Sequence, residues 1–407
     1  MEKAFRNRYY LIFISALLGP LTTNSLIPIF EQLRINFGLS LIAQVSLTIS
    51  FYILPFAVFQ LFAGTFSDVI DKKLAVGIGY IIFTAGLFLS LMAVFAQNFL
   101  LFLIAFLVQG IGFSFINPTV LAILNIITPE PKKGMVMGLY NSTAGAGVAL
   151  GGFLSSLAIN LISPDFWYFI FVLNPIITIL SFISFIFALK NCEALVCKTY
   201  DLGGTNNDKP SAKELIKATL LQLKEGMNIV IILLGIIGFF GFFTVITLTN
   251  TLNEQIRISL PNLSNEEVIN YVSLILTING LISVVLSPIT GNLLKKINPL
   301  IMLGAGFLLM LTVVFLPFGT SIVHYMLFSF LIYIGSALVW PALFKAAMDI
   351  DVKKSGTNSA IINSLRFLGY ALVSPFYLLI GIPIIFYFVF ICDIITMGII
   401  LYLKKFK

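Results

Sequence analysis

Charge is scarce in this sequence. Of its 407 residues only 10% are Asp, Glu, Lys or Arg, against roughly 25% in a soluble domain. Hydrophobic residues make up 59%, and the mean hydropathy is +1.05. A core of this size cannot be covered in water by so few charges, which excludes a soluble globular protein. The apolar surface must meet lipid. Cysteine is also sparse: Cys192, Cys197 and Cys392 make no disulfide framework. The Cys192–Cys197 pair has no neighbouring histidine or third cysteine, so it reads as two reduced thiols rather than a metal site. The single histidine, His324, reads as a packed side chain near the end of a span. No Gly-x-x-x-x-Gly-Lys-[Ser/Thr] segment occurs, which excludes that phosphate loop as an ATP site. No metal and no cofactor is expected, and no catalytic dyad is visible. The net charge of +7 comes from basic residues scattered along short loops, not gathered on one face, so nucleic acid is not an expected partner.

What is present is apolar length. A spanning helix needs about 20 largely apolar residues, and twelve stretches qualify: about 9–30, 42–66, 74–96, 99–124, 134–160, 166–190, 227–252, 267–291, 299–318, 321–347, 355–379 and 381–403. The first lacks a small-residue cleavage site and reads as a retained span, not a signal peptide. Lys and Arg fall on alternate sides of these spans. Of 24 basic residues, 21 lie in the tails and every second loop, two (Arg34 and Arg257) lie on the opposite side, and Arg366 lies inside a span. Positive residues stay cytoplasmic, so both termini are expected in the cytoplasm of a cell-membrane protein. The organisation expected is a six-helix bundle over 1–190, a cytoplasmic linker over 191–226, and a second six-helix bundle over 227–407. Within the linker, Ser211-Ala212-Lys213-Glu214 is a capping-box pattern. The Leu215, Ile216, Leu220 and Leu223 that follow suit either a helix on the membrane surface or a solvated one.

The split is supported by an internal repeat. Gly134, Asn141, Ser142 and Gly147 recur as Gly356, Asn363, Ser364 and Gly369, all at an offset of 222. Gly112 and Pro118 recur as Gly335 and Pro341 at an offset of 223, and Gly64 recurs as Gly291 at 227. An ordered set of this kind indicates a parallel duplication, which places a substrate site near the midplane between the copies.

Several landmarks then resemble the major facilitator superfamily, and within it the twelve-helix drug:proton antiporter branch. The run Gly64-Thr65-Phe66-Ser67-Asp68-Val69-Ile70-Asp71-Lys72-Lys73 is similar to the family's Gly-x-x-x-Asp-Arg-x-Gly-Arg-Arg signature. Leu18 to Pro28 resembles that branch's opening motif. Gln109-Gly110-Ile111-Gly112 resembles its span-four element, Gly147 to Gly152 its Gly-Pro-x-x-Gly-Gly, and Phe166 to Phe169 the start of span six. Phe106, Asn24, Val69, Asp71 and Val148 depart from the pattern. Of these, Phe106 and Asn24 stand where the branch carries an Arg and an Asp associated with proton coupling. The resemblance implies an all-α fold of two pseudo-symmetric six-helix bundles whose spans one, four, seven and ten line a central cavity. It also implies that Asp68 docks on the N-terminus of span eleven when the cytoplasmic side closes. Gly64, Asp68, Lys72 and Lys73 are therefore gating candidates, although the lysines alone could serve only topology.

Polar residues within spans are costly and so informative. The cavity candidates are Asn24, Gln109, Asn117, Thr247, Asn250, Tyr333, Ser336, Trp340, Asn363 and Arg366; each could equally bond between helices. Gly145, Gly147, Gly151 and Gly152 should let span five pack closely. Arg366 lies about 16 Å into its helix and Asp393 about 18 Å into its own, counted at 1.5 Å per residue. Three arrangements stay open: a buried pair, Arg366 facing the cavity, or an independently titrating Asp393. Together these features point to a secondary transporter that works by alternating access and exports amphipathic or aromatic compounds. Its expected partners are the bilayer, a small-molecule substrate and a coupling proton or ion, and a monomer is expected. Uptake of a small anionic metabolite is the alternative transport reading. A non-transporting receptor or membrane enzyme is the alternative outside transport.

Overall fold

The computed structural model describes residues 9–69, 71–128, 133–189, 217, 221, 228–350 and 355–405. The linker expected over 191–226 therefore lies outside the described residues except for Lys217 and Leu221, as do Cys192 and Cys197. Twelve helices are long and apolar enough to cross a membrane, and the described residues contain no strand. We number them in chain order: α1 Leu11–Asn36, α2 Ile42–Val69, α3 Lys72–Phe95, α4 Phe99–Ile127, α5 Lys133–Leu157 and α6 Ile170–Leu189. Then follow α7 Ile229–Ser259, α8 Asn265–Leu293, α9 Pro299–Phe318, α10 Ile322–Met348, α11 Ser355–Ile380 and α12 Ile384–Lys405. The chain is a multi-pass membrane protein.

Local chemistry sets the helix starts. Each first turn leaves backbone N–H groups without helical partners, and short polar side chains take them up. Asn98 accepts from the Leu101 N–H at 2.9 Å, Asn228 from Ile231 at 2.9 Å, Asn298 from Leu300 at 2.8 Å and Asp71 from Lys73 at 2.7 Å. Ser264 and Glu267 form a reciprocal capping box at α8. Two tight reversals need a left-handed backbone: Gly38 at φ +63° after α1 and Gly381 at φ +66° before α12.

Two spans run six and seven residues past the ends expected from apolar length. α1 runs to Asn36, not 30, because Glu31 and Arg34 neutralise each other within it at 2.7 Å. α7 runs to Ser259, not 252. Glu254 there accepts a hydrogen bond from Tyr377, and Arg257 donates to Asn253 at 2.9 Å. The hydropathy rule truncates both because it counts these charges as exposed.

Lipid-facing stripes are plain on α3, where Leu74, Ile81, Phe88 and Met92 are exposed at helical spacing, and on α12, where Ile384, Ile391, Ile395 and Tyr402 are. Packing inside follows a rule that repeats. Among the first six helices α1 packs on α5 and α6, α2 on α4, and α3 on α4 and α6. Among the last six, α7 packs on α11 and α12, α8 on α10, and α9 on α10 and α12, each pair shifted by six. The closest approaches repeat too. A Cβ on Gly147 of α5 would meet the Leu17 carbonyl oxygen of α1 at 2.5 Å; one on Gly369 of α11 would meet that of Phe239 in α7 at 2.3 Å. Both positions of that contact are related by the same offset of 222. The two sets of six touch mainly through α5 on α8 and α2 on α11.

Candidate functional site

The seam between the two sets differs along its length. At the end away from the lysine pairs it is closed by hydrogen bonds between buried groups. Asn253 of α7 donates to the carbonyl oxygens of Ile27 and Pro28 in α1, at 3.3 and 2.8 Å. Ser374 of α11 donates to the Ser46 carbonyl of α2 at 2.8 Å, and Ser50 of α2 donates to the Ala371 carbonyl at 2.5 Å. On the other seam Thr277 of α8 donates to the Ala149 carbonyl at 3.3 Å, and Ser156 to Asn270 at 2.7 Å. Small side chains allow this closeness: a Cβ on Gly280 would meet Ala149 N at 2.4 Å. A depression of about 750 Å³ on this end, lined by residues including Asn36, Gln97, Asp165 and Asn265, lies among the short loops, away from the aromatic belt described next.

Halfway along, the seam turns aromatic. Phe56 of α2 stands edge-on to Phe367 of α11 with ring centroids 4.8 Å apart. Phe56 also packs on Phe113 of α4 at 5.3 Å, and Phe242 of α7 on Phe367 at 5.7 Å. Towards the lysine-rich end the residues facing the seam become half-buried: Gln60, Phe242, Trp340, Phe344, Asn363, Arg366 and Phe367. Among them Asn363 donates to Gln60 Oε1 at 3.1 Å across the seam.

Arg366 is the charge of this belt. Its guanidinium carbon lies 4.5 Å from the centroid of Phe242, 4.7 Å from Phe367, 5.3 Å from Phe344 and 5.4 Å from Trp340. Each such contact is worth about 0.5–2 kcal/mol. Its Nε is buried without a hydrogen-bond partner. Asp393 does not pair with it. That carboxylate is wholly buried on α12, where Oδ1 accepts from Thr244 of α7 at 2.7 Å and Oδ2 has no partner. Depth along the two helices allows a pair but does not require one. Depth fixes height but not direction around the axis, and here the two side chains turn to different neighbours.

The other cavity candidates divide. Trp340 donates to Ser336 at 2.7 Å within α10, beside Arg366. Thr247 and Asn250 of α7 are completely buried in the sealed half; Asn250 donates to Ser374 at 3.2 Å, and Thr247 Oγ1 has no partner. Asn24 is 6% exposed and bonds back to the Pro20 carbonyl at 2.8 Å. Tyr333 is wholly buried beside Thr249. Gln109 faces α3, donating to the Gly86 carbonyl at 3.2 Å, and Asn117 accepts from Tyr140 of α5 at 2.7 Å. Those last two join helices of the first six. Of the packing glycines, Gly147 and Gly151 press on α1, while Gly145 and Gly152 press on α8 across the seam. Of the gating candidates, Gly64 and Asp68 fall in the last turns of α2, and their side chains lie outside the described residues. Lys72 is buried, and the Lys73 N–H is held by Asp71, which caps α3.

Residue-by-residue inspection missed Asn253, Glu254, Ser374, Gln60, Phe242, Phe344 and Phe367. A signal existed for Glu254. Thr247, Asn250, Glu254 and Arg257 form one stripe at intervals of three and four, visible once α7 is allowed to run past 252. The aromatics carry no such mark among 40 phenylalanines.

Comparison with known proteins agrees with this architecture. The chain is 31% identical over 167 residues to the efflux pump terJ of Aspergillus terreus, which is 39% of this chain and 31% of that protein. It is 25% identical over 194 residues to the riboflavin transporter RibZ of Clostridioides difficile, 47% of this chain and 40% of that one. It is 28% identical over 144 residues to an uncharacterised MFS-type transporter of Schizosaccharomyces pombe, 35% of this chain and 27% of that one. The chain thus spans well under half the length of these curated relatives. A family profile described as Major Facilitator Superfamily matches residues 12–374, nearly the whole chain. With twelve membrane-crossing helices and a packing plan that repeats after six, this chain belongs to the major facilitator superfamily.

Proposed function

We propose that the protein is a secondary transporter in which bundles 1–190 and 227–407, joined by 191–226, rock against each other and export amphipathic or aromatic organic compounds. Both termini are cytoplasmic in this reading. The observation that carries it is the asymmetry of the seam. One end is bolted by hydrogen bonds between buried groups, and beyond an aromatic belt the facing residues are half-buried and mixed in character. An alternating-access carrier caught open to its lysine-rich side has that form. An apolar wall with a few directional polar groups suits an amphipathic cargo, and the efflux pump among the similar proteins agrees in direction.

The test is reconstitution of the full-length protein in proteoliposomes loaded with a panel of lipophilic fluorescent dyes, with and without an imposed pH gradient. Protein-dependent dye movement is expected. Acceleration by the gradient would assign a proton as the coupling ion. Movement of no dye in either orientation, from protein that is monodisperse and folded, would sink the reading.

A further inference from the structure

We propose, resting on the transport reading above, that the cargo is an aromatic anion and that Arg366 takes its carboxylate. The rings of Phe242, Trp340, Phe344 and Phe367 lie 4.5–5.4 Å from the guanidinium carbon. A ring attracts a cation through its face, whereas the N–H donors of a guanidinium all lie in its own plane. Ring contacts of this kind therefore do not satisfy the hydrogen-bonding edge, and Nε is buried without an acceptor. Among the described residues no carboxylate forms an ion pair with Arg366, and Asp393 spends its one hydrogen bond on Thr244.

A cation near the middle of a membrane protein is costly unless something compensates it. Among the described residues the compensation comes from rings. Among the described residues none supplies an in-plane, two-pronged acceptor, and a carboxylate has that geometry. The same rings would flank an aromatic body attached to it. The amides of Gln60 and Asn363 are uncharged and bonded to each other at 3.1 Å, so they add no second charge to match. A cationic amphiphile would meet like charge at this belt, and a neutral one would leave the guanidinium edge unsatisfied.

Trp340 makes the inference testable, because the sequence holds only two tryptophans. Full-length Trp167→Phe protein leaves Trp340, 5.4 Å from Arg366, as the sole indole. Its fluorescence would be titrated with three near-isosteric quenchers: 4-nitrobenzoate, 4-nitrobenzamide and 4-nitrobenzylamine. The flux of each would be followed in proteoliposomes. The acid is expected to bind at least roughly 10-fold more tightly than the amide, the ratio of one charge-assisted contact, and the amine most weakly. In Arg366→Gln the acid and amide should converge to within about 2-fold, with amide binding retained as the sign of an intact fold; Arg366→Lys should recover part of the preference. Equal binding of the three by the unsubstituted site, preference for the amine, or no binding of the acid would each overturn the anion assignment. Flux of the amide or amine in those cases would leave the transport reading standing. Selective binding of the acid with no flux of any compound would uphold the Arg366 site and overturn transport instead.

Discussion

Asn253 of α7 and Pro28 of α1 are joined across the seam by a hydrogen bond of 2.8 Å, although 225 residues separate them in the chain. Asn253 is fully buried there, and its amide also reaches the Ile27 carbonyl. Both carbonyls lie in the short stretch Ile27–Ile29, where α1 leaves regular α-helix. Such a break turns backbone oxygens outward, where another helix can use them.

If this bond helps to hold one end shut, its removal shifts the balance of states. Asn253→Ala should release about 1 kcal/mol of closing free energy, a factor of about 5 in the population. In protein whose native cysteines are replaced, a cysteine placed at Thr247 should then react several-fold faster with an impermeant reagent applied from that end. An unchanged rate would show that the bond does not bear on opening.

The glycines give a paired prediction. A methyl group on Gly147 would press on the Leu17 carbonyl and one on Gly369 on the Phe239 carbonyl, backbone atoms that move only with their helices. Gly147→Ala and Gly369→Ala should each cost about 1–3 kcal/mol, seen as a lower unfolding temperature in detergent. Gly304→Ala and Gly398→Ala, where nothing lies within 4 Å, should be neutral or slightly stabilising, since alanine favours helix. Equal effects at all four sites would mean that the loss is one of flexibility and not of packing.

These glycines were legible before any fold was known, because a repeated spacing preserves a repeated contact. The twelve spans were legible for a similarly general reason, since lipid demands apolar length. Their ends were less so. The α1 and α7 extensions depend on Glu31–Arg34 and on Glu254–Tyr377, and the second contact joins residues on two different helices. The site was half legible. Ser336, Trp340, Asn363 and Arg366 announced themselves by being polar or rare in apolar helices. Phe242, Phe344 and Phe367, which surround Arg366, look like any lipid-facing phenylalanine. Gln109 announced itself equally well yet turned towards α3, since composition does not say which side of a helix faces the seam.

Asp393 and Arg366 supply the sharpest contrast. With Thr244 as its only hydrogen-bond partner among the described residues, Asp393 depends on that hydroxyl. Thr244→Val should leave a buried carboxyl with no partner and cost about 1–3 kcal/mol, whereas Thr244→Ser should be near neutral. Reversing the charge at Arg366 and Asp393 together should not rescue the defect of either reversal alone, read as folded yield and unfolding temperature. Recovery in the double variant would restore the ion pair as the correct description.

The bond from Asn363 to Gln60, 3.1 Å across the same seam, should behave differently from that of Asn253. It lies one turn to the lysine-rich side of the contact of Phe56 with Phe367, which falls near the middle of both helices. A rocking motion changes separation most at the ends and least near its pivot. A contact within one turn of the pivot therefore survives in both states, and its energy cancels from their difference. Asn363→Ala strands Gln60 Oε1, and Gln60 already has a buried, unpartnered Nε2. The substitution should lower the unfolding temperature by an amount equivalent to about 1 kcal/mol, while the labelling rate at position 247 stays within about 2-fold of its starting value. Should Asn363→Ala instead change that rate as much as Asn253→Ala does, the pivot does not lie at the aromatic belt. The two halves would then have to separate along the whole of α2 and α11.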